Sequence, residues 1–372
     1  MTNPRLLTRL NRAAGGHGAD LLLYAAAAVF ALLTARTSTL LPHRAWGEIA
    51  CWAYGFGFVL ALAQLVAYRR LTSAPELLTP QNGLAPPDRS ARPDRSAPPD
   101  RSAPPDRLAP PNREMRPDRG SLVGRRTRGS AGAGRGVVAY ALVGNRARET
   151  LGWLAGGLAA LLPLIVEAVQ RAGGRTGRAQ EEVLVVERMG ERLLHDGTPY
   201  LPRPAIAALA ADERLMAYSP YQPGMAVFGL PRAVAGDFWW TDARVWFAVA
   251  TVAALAGAVR LTASGSFARV RAIQSVAILP ICALTLATGG DDIPVLALSL
   301  LALALSATDR YGWAGVAVGA AAACKLFAVP VVAVLIILAL VARRGRQFVP
   351  GAIGLPILVL IPPLLVNADA VL

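Results

Sequence analysis

Residues Tyr311–Ala342 read YGWAGVAVGAAAACKLFAVPVVAVLIILALVA, an apolar run broken by a single charge, Lys325. Its flanks are charged, with Asp309–Arg310 before it and Arg343, Arg344 and Arg346 after it. Short arginine-bearing loops stay on the cytoplasmic side of a membrane, so both ends of the run belong on one side. The run must then turn back on itself. Each arm has about 14–17 residues, a rise of about 21–25 Å, and the turn carries Lys325 most of the way to the outer face. The alternative is one long tilted helix with Lys325 midway, which inverts the final span. The hairpin is the reading that agrees with the other loops.

Working outward, further apolar runs of membrane length are Leu21–Ala35 (extendable to Leu41), Ile49–Tyr68, Leu151–Val169, Val245–Val259, Ala272–Thr288, Ile293–Ala307 and Phe348–Val366. Apolar residues make up 54% of the 372 and charged ones 17%, which excludes a soluble enzyme, a coiled coil or a disordered protein as a reading of the whole chain. The formal charge of +14 is spread among the apolar runs, so nucleic acid is not the expected partner. Arg5, Arg9 and Arg12 put the N-terminus inside; they would also suit a signal peptide, but no small-residue cleavage site follows the first apolar run. Arg69, Arg70, Arg260, Arg269 and Arg271 mark other inner loops, and residues 170–244 fall outside as one large loop. The expected fold is an all-α polytopic membrane protein with about eight spans or paired half-spans.

Cys51, Cys282 and Cys324 each lie inside an apolar run without zinc or disulfide spacing, and no metal or cofactor is expected. Pro-Asp-Arg recurs from Pro87, Pro93, Pro99, Pro105 and Pro117, with Pro111-Asn112-Arg113 as a variant. So much proline at period six excludes helix and ladder, and the expectation is a disordered, partly polyproline II spacer. It divides the chain into an N-terminal two-helix unit (1–70), a linker (71–136) and a main membrane body (137–372).

The outer loop begins Gln180-Glu181-Glu182-Val183 and carries Val183, Val186, Met189 and Leu193 at helical spacing, a stripe suited to the membrane surface. It continues through His195-Asp196-Gly197-Thr198-Pro199-Tyr200 and Tyr218-Ser219-Pro220-Tyr221-Gln222-Pro223-Gly224. A carboxylate some 17 residues before Gly-x-Pro-Tyr, then the Tyr/Pro segment, then the Ala-rich Lys325-x-x-x-x-Pro330 string, resembles the actinobacterial-type polyprenol-phosphate-mannose-dependent α-1,2-mannosyltransferases. These form glycosyltransferase family 87, of the GT-C superfamily of membrane glycosyltransferases. The resemblance covers about residues 145–372.

It implies a GT-C-like helical bundle in the bacterial plasma membrane, N-terminus cytoplasmic and active site extracytoplasmic. It also implies a polyprenyl-phosphate sugar donor and a glycan or glycolipid acceptor. The family's catalytic base falls on Glu182, with Glu181 beside it; the usual residue is Asp, so this chain departs from the pattern by one methylene. Members carry further helices where this sequence stops, so a fragment or shortened form is expected.

Without the family, the chemistry asks for a base on an acceptor hydroxyl and a cation on a leaving phosphate. Lys325 or Arg244 would hold the phosphate. Asp291, Asp292, Tyr200, Tyr218 and Tyr221 would contact donor or acceptor. Each residue also has a plainer reading: first-turn acids for Glu181 and Glu182, a snorkelling Lys325, an N-cap at Asp292, interfacial anchors for the tyrosines, a surface His195, and Glu167, Asp242 and Arg244 as groups flanking helices. A transporter, flippase or non-catalytic scaffold is the alternative function. The absence of an internal repeat outside the linker, and the gathering of charges at one face, favour interfacial chemistry.

Overall fold

The computed structural model describes residues 16–73, 141–263 and 265–371. The proline repeat and the first arginines lie outside these residues. Within them the chain is all helix and turn, and it is a polytopic membrane protein. Four helices long and apolar enough to cross a bilayer are α1 (His17–Thr37), α2 (Leu41–Ser73), α3 (Asn145–Ala172) and α8 (Ala243–Thr262); the segment Gly345–Val366 is the fifth. A sixth span is broken. It runs as α9 (Ser266–Ile273) through a π turn to Ile278, then bends 45° into α10 (Pro280–Thr288). Pro280 at the first turn of α10 has no N–H to continue the ladder, which accounts for the break. Shorter apolar helices follow: α11 (Asp292–Ala307), α12 (Tyr311–Cys324) and α13 (Val329–Val341). The expected eight spans thus become five or six long ones and three short helices.

The run Tyr311–Ala342 turns back at Lys325, between α12 and α13. At the opposite ends of these helices, Asp309 and Arg343 adopt φ of 59° and 57°. Each sits in the same double turn, with Arg310 N–H on Leu305 C=O (2.8 Å) and Arg344 N–H on Ala339 C=O (2.7 Å). Gly345–Val366 continues as α14 (Gly345–Val349), a π turn and α15 (Leu355–Val366), then α16 (Ala368–Val371).

Large apolar side chains such as Leu22, Trp52, Leu358 and Leu365 face outward, as a lipid solvent permits, while alanine and glycine fill the helix contacts. Gly315 and Gly319, one turn apart on α12, lie against the carbonyls of Phe348 and Gly351, where a Cβ could not fit. This spacing of two small residues lets backbones touch where no hydrophobic effect drives helices together.

The segment between α3 and α8 holds α4 (Glu181–Asp196), α5 (Arg203–Ala208), α6 (Ala211–Ala217) and α7 (Leu230–Ala235). Val183, Val186 and Met189 on α4 are fully buried. The stripe expected on the membrane surface packs on protein instead: Val183 against Gly289, and Val186 and Gly190 against Gly229.

Candidate functional site

The α10–α11 turn brings the first acids into place. Gly289 has φ of +118°, and a Cβ there would overlap Val183, so glycine is required on both counts. The turn presents Asp291 and Asp292. Neither side chain caps α11, contrary to the capping reading of Asp292; both carboxylates accept from Lys325 Nζ, Asp291 at 2.6 Å. Asp291 is buried, whereas the Asp292 side chain is 55% exposed. Burial raises the Asp291 carboxyl above its ordinary range, against the lowering effect of Lys325 and of the Tyr221 hydroxyl.

Tyr221 closes the other side. The Lys325 ammonium lies 4.6 Å from its ring centroid, a cation–π distance. Gln222 N–H donates to Cys324 C=O (3.0 Å), and Gly224 lies against Ala323, which ties the Tyr/Pro segment to the end of α12. Tyr200 OH donates to Tyr221 C=O at 2.8 Å. Burial first, then the negative charges of Asp291, Glu182 and Asp292, push the Tyr221 hydroxyl upward, and burial does the same to Tyr200. Three expected carboxylates therefore act on one phenol. Tyr200, Tyr218 and Tyr221, with Arg203, Gln222 and Asp369, line an adjoining cleft of about 300 Å³; Tyr218 is mostly exposed.

Glu181 and Glu182 stand exposed on the first turn of α4, with no ion pair among the described residues. They line a separate cavity of about 530 Å³ with Thr39–Pro42. No direct bond links them to Lys325; Glu182 reaches that centre through its field at Tyr221.

Arg244, expected at a phosphate, is fully buried and already engaged. Its guanidinium forks onto Asp242 (2.9 and 2.8 Å), reaches Glu167 (3.1 Å) and donates to Arg178 C=O (2.5 Å). Arg171 joins Asp242 (3.0 Å) to Glu187 (2.6 Å), and Arg232 joins Glu187 (3.4 Å) to Asp237 (2.6 Å). Asp242 also caps α8 through Arg244 N–H. Burial alone would raise the Asp242 carboxyl, but Arg244 and Arg171 outweigh it and hold it at about 2. This lattice fixes the helix ends beneath the site. Lys325, 14% exposed, differs in that one of its two carboxylate partners, Asp292, is more than half exposed.

Among the described residues no three His, Cys, Asp or Glu side chains converge as metal ligands, and the Lys325 ammonium itself sits between Asp291 and Asp292. An apolar recess of about 120 Å³ lies between α3, α8 and the broken span, lined by Trp153, Leu161, Val252, Leu255, Leu286 and Ile293; Ile293 adjoins Asp292. Sequence reading missed His43 and Gln180, whose side chains meet next to Glu181, and the polar residues Arg203 and Asp369 of the cleft lining. His43, a polar residue in the first turn of a span, was the available signal.

Residues 219–372 match the family model of glycosyltransferase family 87. The matched stretch holds Tyr221, Arg244, Asp291, Asp292 and Lys325; Glu181, Glu182, Tyr200 and Tyr218 precede it. No curated protein and no solved structure matches the chain.

Proposed function

We propose that this protein is a membrane glycosyltransferase. It would move a sugar, mannose by resemblance, from a polyprenyl-phosphate donor to an extracytoplasmic glycan or glycolipid in the bacterial plasma membrane. The observation that carries the reading is the meeting of Lys325, Asp291, Asp292 and Tyr221, from three distant stretches, beside a tyrosine-lined cleft. The family match over the same residues supports it.

In this reading the donor phosphate takes the place of Asp292, the half-exposed partner, on the Lys325 ammonium; a lysine is a point charge suited to that exchange. Asp291 stays behind and holds the lysine in place. The prenyl chain lies along the apolar flank that ends at Ile293. The acceptor oxygen attacks the anomeric carbon as its bond to the phosphate oxygen breaks, inverting the centre. Polyprenyl phosphate leaves with the bonding pair, and Glu182 takes the hydroxyl proton, with Glu181 beside it. Negative charge from Asp291 and Asp292 favours the oxocarbenium-like transition state. Tyr200, Tyr218 and Tyr221 offer ring faces to the sugars.

The test is transfer from polyprenyl-phosphate mannose in proteoliposomes. Lys325→Ala should cost about 100-fold or more in kcat, and Glu182→Gln about 100-fold. Equal transfer by both variants and the unaltered protein removes the assigned roles.

A further inference from the structure

The helix pair α1–α2 lies outside the family match, and the reaction just described gives it no task. It is nonetheless fastened to the body at three heights. At one end the Asp20 carboxylate takes Arg148 (2.6 Å), Arg271 (3.0 Å) and Gln274 (2.9 Å). Midway, the indole of buried Trp46 donates to Ala159 C=O (2.8 Å). At the other end the Gln180 side-chain amide donates to His43 Nε2 (2.6 Å).

That last contact is next to the proposed base. Gln180 is the residue before Glu181, and its backbone N–H donates to Thr288 C=O (3.2 Å), at the end of the helix that leads into Asp291. Gln180 therefore couples the α1–α2 pair, the start of α4 and the Asp291 turn. Gly177, with φ of +68°, lets the preceding loop press against Leu41. Between the two elements lies the cavity of about 530 Å³: Leu40, Leu41 and Pro42 form its apolar wall, and Glu181 and Glu182 the polar one. Glu182 lies within electrostatic reach of His43.

We infer that the α1–α2 turn is the far wall of the acceptor pocket, and that His43 is a positioning residue which sets Glu182 through Gln180. The inference rests on the glycosyl-transfer reading. The walls suit an acceptor with hydroxyls on one side and an apolar anchor on the other. Its hydroxyl meets Glu182 while the anchor lies on Leu40 and Leu41.

The experiment uses the full chain in proteoliposomes with polyprenyl-phosphate mannose as donor and octyl mannoside as acceptor, together with amide hydrogen exchange. His43→Ala should lower kcat about tenfold and leave the donor KM unchanged, because a small displacement of the base is costly. His43→Gln, whose carbonyl can accept from Gln180, should restore most of the rate. Leu40→Trp, at an exposed position, should raise the acceptor KM about tenfold by filling the cavity, without changing the donor KM. Amides 180–186 should exchange faster in His43→Ala whether or not sugar is transferred. Unchanged exchange there overturns the positioning role, and so does a joint loss of donor KM and thermal stability that His43→Gln does not repair. An unchanged acceptor KM in Leu40→Trp overturns the pocket wall. No transfer by the unaltered protein sinks the glycosyl-transfer reading instead.

Discussion

Two clusters near the same membrane face set arginine and lysine among carboxylates, and they differ in what is left over. Around Arg244 every direction is taken: two carboxylates and a carbonyl close on one guanidinium, and its exposure is 0%. Around Lys325 one partner is buried and the other faces outward, with an aromatic ring alongside. A planar fork with five donors can be fully satisfied by the protein. An ammonium held from one side keeps room for another anion. The first arrangement fixes helices; the second can exchange a partner.

The sharpest way to break this comparison is Arg244→Ala. It leaves Glu167 buried without its cation and Asp242 with Arg171 alone, so it should cost about 3–5 kcal/mol of stability, read as a lower Tm in detergent. Lys325→Ala should instead slow transfer about 100-fold or more with a far smaller change in Tm.

Acid separates the two next. The Asp242 carboxyl is held at about 2 against an ordinary 3.8, so its stabilisation is present above pH 4 and lost as the pH falls toward 2, about 2 kcal/mol in all. Asp291 has the opposite sign. Its raised value means that its protonation favours the fold, an effect present below its ordinary range and lost as the pH rises through the raised value. A pH series of Tm should therefore lose its acid limb in Asp242→Asn and keep it in Asp291→Asn.

The smallest effect belongs to Asp292→Asn, at an exposed pair of little structural value. Stability should change by less than about 1 kcal/mol, while the donor KM shifts severalfold. A large loss of stability there would erase the distinction between the clusters.

The hairpin at Lys325 was legible because one charge interrupts an apolar run between two arginine-marked turns, and the bilayer permits few ways to bury that. Asp291 and Asp292 were legible as the acids of a short turn between two apolar runs. The partners of Arg244 were not: Glu167 lies 77 positions away, and nothing local tells a capping arginine from a buried one. The stripe on α4 gave its period but not its neighbour, because Gly229 and Gly289, which receive it, mark their role only by lacking side chains. The docking of α1–α2 depends on Asp20 and His43, single polar residues whose partners lie across the linker.

Backbone contact at Gly315 and Gly319 leaves α12 no slack along its axis. Inserting one residue between Gly319 and Lys325 would advance the ammonium by about 1.5 Å and swing it about a quarter turn. It would then miss both aspartates. The helix serves as a ruler: its glycine notches are the zero mark, and the depth of the only lysine is the length it measures.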